Sequence, residues 1–512
     1  MKLLGAIWRS FGVSEAERRH FQRALFVIAL VVGALVSLLS PWRVFAAVFG
    51  AAVIGLTFSR PGLILMFLAA YTPFEPFLLK FVGDDIYVYA RYFSEVLIYI
   101  LLASAILRHW LLRRKWHGTP IDLPLAFFLL VAIASLVINF VPPTIGLLGL
   151  RQIIRFIILY YAVILLEPDR PYIRRFTVMM FAVTLFEAAL GALQALTGGA
   201  LDEFLIPSDR RFFESVQLTT GTDQTWSPGT RVFATLGRYD QLGTFLSFFM
   251  TMALGFLYGL KDKILKHRLF WFILACTPAL VLTLSRASWF GFLLALAALG
   301  GWLMKDRRVR FGFAAVAIAA VSYLGISGLV VRYMTDYPEQ TLVERFFEAF
   351  SYERWRGEYI GLGRLFWIVQ TPTVVVRSSP LFGVGPGQYG GGAAAALGNT
   401  RVYESLNLPF GVYGTEGYID NNWFSLWGET GTLGLVFYFW MFFALGQLAI
   451  NTWRRSHDQL IRGLALGFFG CLLAVSFQAF LATYLEVRTL ALYFWCYAAF
   501  LAVLSRQERI ST

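Results

Sequence analysis

Groups that build metal centres and disulfide frameworks are scarce in this sequence. Its three cysteines, Cys276, Cys471 and Cys496, all lie inside apolar runs, so neither a disulfide scaffold nor a thiolate zinc site is expected. Charge is scarce too: 15% of residues, against about a quarter in a soluble domain. Hydrophobic residues make up 58% of the chain and gather in blocks of about 18–25, the length that crosses a hydrocarbon core of roughly 30 Å. This excludes a soluble protein. A formal charge of +13 would suggest nucleic acid in a soluble chain; here it belongs to basic loops, and no nucleic-acid partner is expected.

Spans are expected at 21–39, 44–58, 61–79, 92–107, 122–140, 146–166, 175–197, 241–260, 269–284, 288–304, 311–331, 423–450, 463–484 and 488–504, about fourteen helices in all. The 21–39 run follows Arg18 and Arg19 but is long for a signal peptide, so it reads as a retained helix. Pro73 and Pro76 threaten to end the third span early. The intervening segments alternate in charge. The N-terminus, 108–117, 168–175, 261–268, 305–310, 451–462 and the tail from 505 are basic and fall on one side. By the positive-inside rule that side is cytoplasmic, with both termini on it. The fold class is therefore all-α and polytopic. Its divisions are N-terminal membrane helices (1–197), a first outer loop (198–240), central helices (241–331), a large outer loop (332–422) and C-terminal helices (423–512).

Lysine is missing from both outer loops, which leaves arginine as their strong cation. All five histidines (His20, His109, His117, His267 and His457) fall on cytoplasmic flanks. An outward-facing site would then have no histidine base or ligand, and its base must be a carboxylate. The stretch 341–350 has helical apolar spacing and is expected to lie along the membrane surface. No tandem repeat or matching pair of halves is visible, which counts against transporter folds.

Arginine within an apolar span is costly and usually functional. Arg151 and Arg155 stand four apart on one helical face; they could bind a phosphate or bond Glu187 or Gln194 inside the bundle. Arg286, at an outer helix junction, could snorkel to headgroups or grip a diphosphate, which guanidinium holds bidentately. Residues 380–392 read PLFGVGPGQYGGG, with Gly385 and Gly387 at the centre. The loop lacks the Gly-Lys-Ser/Thr ending of a nucleotide site; a flexible turn and an anion-binding backbone nest both remain open. Asp420 lies where the large loop meets the twelfth span. It could be a general base at the edge of low dielectric, or Asp420, Asn421 or Asn422 could simply cap the helix. Glu429, about two turns further on, is open to the same readings.

Taken together, these residues resemble the O-antigen ligase and polymerase superfamily, membrane glycosyltransferases that use sugars carried on undecaprenyl diphosphate. The family's C-terminal signature is a histidine–asparagine pair, nine residues, then Gly-x-x-Gly. Asn421, residues 422–430 and Gly431-Thr432-Leu433-Gly434 fit it, with Asp420 in the histidine position. Leu284-Ser285-Arg286-Ala287 is similar to the family's Ser-Arg motif. Arg364 with Trp367, the Pro380–Gly387 run, and the segment opening at Arg231 are similar to three others. The likeness covers residues 230–450 and implies a GT-C-like fold with the site facing the periplasm of the inner membrane.

It also implies Asp420 as general base and Arg286 and Arg364 as diphosphate ligands. Arg231, Arg151, Arg155, Asn421, Glu429, Gly385 and Gly387 are lesser candidates for substrate binding. An Asp-Asn pair is familiar among polymerase-like members, which favours polymerisation of lipid-linked repeat units. Transfer would be inverting and need neither a metal nor another cofactor. The expected partners are an undecaprenyl-diphosphate-linked donor, a glycan or lipid-linked acceptor, membrane lipids and a chain-length regulator. A ligase acting on lipid A-core or protein is the nearest rival. A lipid-linked oligosaccharide flippase, or a scaffold, comes further behind.

Overall fold

The computed structural model describes residues 41–207, 212–213, 216–217, 229–333, 341–410 and 419–511. The chain forms two units, Met1–Ile64 and Leu65–Thr512. The described helix of the first is Pro41–Ser59; the expected 21–39 span lies outside the described residues.

Among the described residues, ten helices are long and apolar enough to cross a membrane, or up to twelve if each of two bent pairs counts as one. The expected single span at 61–79 is replaced by Pro61–Tyr71 and a short helix, Glu75–Leu79. Pro73 causes the break, because a proline drives the residue before it out of helical geometry. The helix Asp122–Ile138 has 17 residues and so reaches only about 26 Å. A helix pair not expected from the sequence, Tyr352–Ile360 with Arg364–Ser378, bends by 63° within the large loop. The Gly361-Leu362-Gly363 break, with Leu362 at φ 60°, separates the two stretches, so neither reads as a span by itself. Only one short ladder is present among the described residues, pairing Phe212–Phe213 with Val216–Gln217 antiparallel.

Two helices form the buried centre of the larger unit, Tyr239–Gly259 and Arg488–Ser511. The first packs backbone to backbone on Gln459–Gln478. A Cβ placed on Gly255 would stand 2.0 Å from the Gly467 amide nitrogen, and one on Gly259 would stand 2.4 Å from the Gly463 Cα. Both helices thus present glycines four apart, the small-residue spacing that lets membrane helices touch. Because the obstruction is backbone, no rotamer change can relieve it. Gly255→Leu should destabilise the protein by at least about 1–3 kcal/mol, read as a lowered unfolding midpoint in detergent.

Candidate functional site

The helix Asn422–Arg455 is broken at Gly431, whose φ of 67° and ψ of −174° suit a residue without Cβ. The chain around 380–385 lies alongside the break and satisfies what it frees. Val384 and Gly385 donate to the carbonyls of Gly428 (2.8 Å) and Glu429 (2.9 Å), while Thr432 and Leu433 donate to Pro380 (2.9 Å) and Leu381 (3.2 Å). The half-helix before the break is capped by Asn421, whose side-chain oxygen accepts from the Phe424 amide at 3.1 Å. Asn422 accepts instead from the Leu485 amide, 2.8 Å away. Of the three possible caps only Asn421 is used, which leaves Asp420 free of that role. Its carboxylate, 40% exposed, accepts from a terminal nitrogen of Arg364 at 3.2 Å.

Arg364 is the end of a longer series. Its amide donates to Glu358 (3.1 Å), and the other Glu358 oxygen takes a bond from Arg354 (2.5 Å). Arg354 also bonds the fully buried Glu348 at 2.7 Å, and Glu348 receives Arg286 at 3.0 Å and Arg345 at 3.1 Å. Hydrogen bonds and ion pairs therefore run without a gap from Arg286 to Asp420. Arg286 leads its helix out of a tight turn at Leu284, φ 52°, and its guanidinium reaches inward to a carboxylate rather than snorkelling outward. Among the described residues, four guanidinium groups and three carboxylates meet in this series. The Arg364 Nε is buried without a partner.

Residues before the Tyr239–Gly259 helix close the other side. Arg231 stacks over the Tyr239 ring at 4.2 Å, and Arg238 pairs with Asp240 at 3.0 Å. The Asp240 carboxylate makes the Arg238 guanidinium hold its proton still more tightly. Tyr484, buried between Arg238 and Arg364, has its proton affinity raised, chiefly by burial. The segment that carries Arg231 is held by Gln194, which accepts from the Phe233 and Ala234 amides, and by Glu187, which accepts from Thr235.

That use of Glu187 and Gln194 rules them out as partners of Arg151 and Arg155, one of the two readings open from the sequence. Both arginines turn to Glu95 instead: Arg151 grips it with two nitrogens and Arg155 stands 3.5 Å from it. Arg155 also bonds the Glu486 carbonyl at 2.5 Å.

The glycine loop is a nest for an internal anion. Gly387 at φ 78° and Tyr389 turn their amides to one Glu429 oxygen, at 2.9 and 3.5 Å, and Gly392 donates to Glu486 at 2.8 Å. Gly385, at φ 109°, bonds the Glu429 carbonyl. Glu429 is 3% exposed and holds the loop against the broken helix; it does not face Asp420's partners. With Glu486 it borders a cavity of about 20 Å³, room for one water. Burial raises the proton affinity of the Glu486 carboxyl, against the pull of Gly392, Gln152 and Arg155. Glu429→Ala should strand two buried amides and cost about 1–3 kcal/mol for each, seen as faster proteolysis of the 380–400 segment.

A family model described as O-antigen ligase matches residues 269–439. That region is similar to the O-antigen ligase and polymerase superfamily. No curated protein matches the chain. The O-antigen ligase region contains the whole series from Arg286 to Asp420, together with the glycine loop and the helix break. Arg231, Arg238 and Tyr484 lie outside that region. Glu348, Glu358, Arg238 and Tyr484 had no signal in the sequence beyond their residue types. Among the described residues no group of three or more metal-binding side chains gathers.

Proposed function

We propose that this protein is an inner-membrane glycosyltransferase that polymerises undecaprenyl-diphosphate-linked oligosaccharide units on the outer face of the cytoplasmic membrane. The observation that carries the reading is Asp420: released from capping, it stands half-exposed on an arginine that ends the series from Arg286. Both termini and the basic loops lie in the cytoplasm, which puts Asp420 outside.

The donor diphosphate binds Arg364 and the Arg286 end of the series, competing with Asp420 for the Arg364 guanidinium. The freed carboxylate takes the proton of the acceptor hydroxyl. That oxygen attacks the anomeric carbon and the bond to the lipid diphosphate breaks, its electron pair leaving with the phosphate. Arginines stabilise the charge that develops on the leaving group. A single base, with no second carboxylate beside it among the described residues, gives inversion. Arg286→Lys keeps the charge but loses the fork, and should lower transfer about tenfold.

The family's description favours ligation as a second reading. Pure protein mixed with lipid-linked donor alone separates the two. A polymerase makes a ladder of products; a ligase makes none until a lipid A-core or protein acceptor is added.

A further inference from the structure

A second group of arginines stands on the far side of the 479–487 loop. Arg488 pairs with Glu75 and donates to Ser94 at 2.7 Å, and its other terminal nitrogen lies 3.5 Å from the Arg91 carbonyl. Arg151 and Arg155 share Glu95. Arg155 is near enough to be repelled by Arg488, Arg151 and Arg91 alike. Among the described residues, four guanidinium groups therefore face Glu75 and Glu95, with the Glu486 carboxyl near enough to feel Arg155. Arg91 is partly exposed and makes no ion pair among the described residues, and the Arg155 Nε is buried without a partner.

Uncompensated charge of this kind is expensive at the edge of a membrane unless an anion offsets it. Gly149, half a turn before Arg151, packs against Gly387 of the large loop so closely that a Cβ would come within 2.2 Å of its amide nitrogen. The arginines thus lie at the base of the loop. One short segment connects them to the first site. Along it Tyr484 faces Arg364, the Leu485 amide bonds Asn422, Glu486 meets Arg155, and Arg488 enters the second group.

We infer that Arg91, Arg151, Arg155 and Arg488 form a second binding site for a diphosphate headgroup, which holds the lipid-linked acceptor while the donor occupies Arg364. This rests on the proposed glycosyl transfer and deepens it, because two lipid diphosphates bound at once is what a polymerase requires. Arg151 and Arg155 then belong to the acceptor rather than the donor. The 479–487 loop keeps the two headgroups apart and lets the acceptor's sugar chain reach across to Asp420.

The test is the number of polyprenyl diphosphate molecules bound per chain in nanodiscs of zwitterionic lipid. Wild type should bind two and Arg91→Gln one, and Asp420→Asn should keep both. Arg91→Gln should also raise the KM for lipid-linked acceptor by roughly tenfold to a hundredfold. Arg91 is the choice because it leaves no carboxylate unpaired; Arg155→Gln, checked for folding by its unfolding midpoint, is the second variant. Inorganic pyrophosphate should displace the second molecule. One molecule bound by wild type, or two by both arginine variants, overturns the proposal. So does displacement of the second molecule by phosphatidylglycerol as readily as by polyprenyl diphosphate, which would make this a general phospholipid site. Two molecules bound without any sugar transfer would instead defeat the glycosyltransferase reading and leave the second site standing.

Discussion

Asp420→Asn is expected to lower sugar transfer by about 10²–10⁴-fold, the usual contribution of a general base, and to leave the protein folded. The second half of that expectation follows from what Asp420 does not do. The helix after it is capped by Asn421, and the carboxylate bonds Arg364. Asparagine keeps the shape and can still meet the guanidinium through its amide oxygen. Only the capacity to accept a proton is lost. A variant that melts as wild type does and yet fails to make product in single-turnover assays would show both halves together.

Glu348→Ala should produce the largest loss of stability, about 3–5 kcal/mol, because it removes one side of a buried ion-pair group and leaves the other charged. Arg286, Arg345 and Arg354 all converge on that carboxylate, which has no exposed surface. Without it, three guanidinium groups repel one another in a poorly hydrated place. The Tyr352–Ile360 helix should loosen first, and with it the Glu358 carboxylate that holds the Arg364 amide. Two measurements check this. The unfolding midpoint should fall, and trypsin should cut at Arg345 and Arg354 in the variant at concentrations that spare wild type. Glu348→Gln, which keeps the shape and some hydrogen bonding, should fall between the two.

The membrane character and the positions of most helices were legible because hydropathy depends on composition over a window, which tertiary structure does not alter. Arg286, Arg364 and Asp420 stood out by residue type in an apolar or loop-end setting. Their connections did not. Glu348 and Glu358 read as ordinary polar positions on short helices, since nothing local says that arginines from two other segments will converge on them. The break at Gly431 was hidden because the apolar spacing on either side continues as if the helix were whole. The glycine run suggested an anion nest, but only the fold shows that Glu429, from a helix forty residues away, fills it. Glu95 was not legible as the partner of Arg151 and Arg155 for a similar reason. Glu187 and Gln194 suited them by type, but those side chains are used up by the backbone around Thr235.

The account turns on a division of labour between Asp420 and Arg364, so the decisive measurement is of donor binding and transfer together, in one preparation of each variant. With undecaprenyl-diphosphate-linked donor and reconstituted protein, Asp420→Asn should bind donor as wild type does and transfer almost nothing. Arg364→Ala should lose donor affinity by roughly tenfold or more. Transfer by Asp420→Asn at a rate near that of wild type, with donor still bound, would contradict the account.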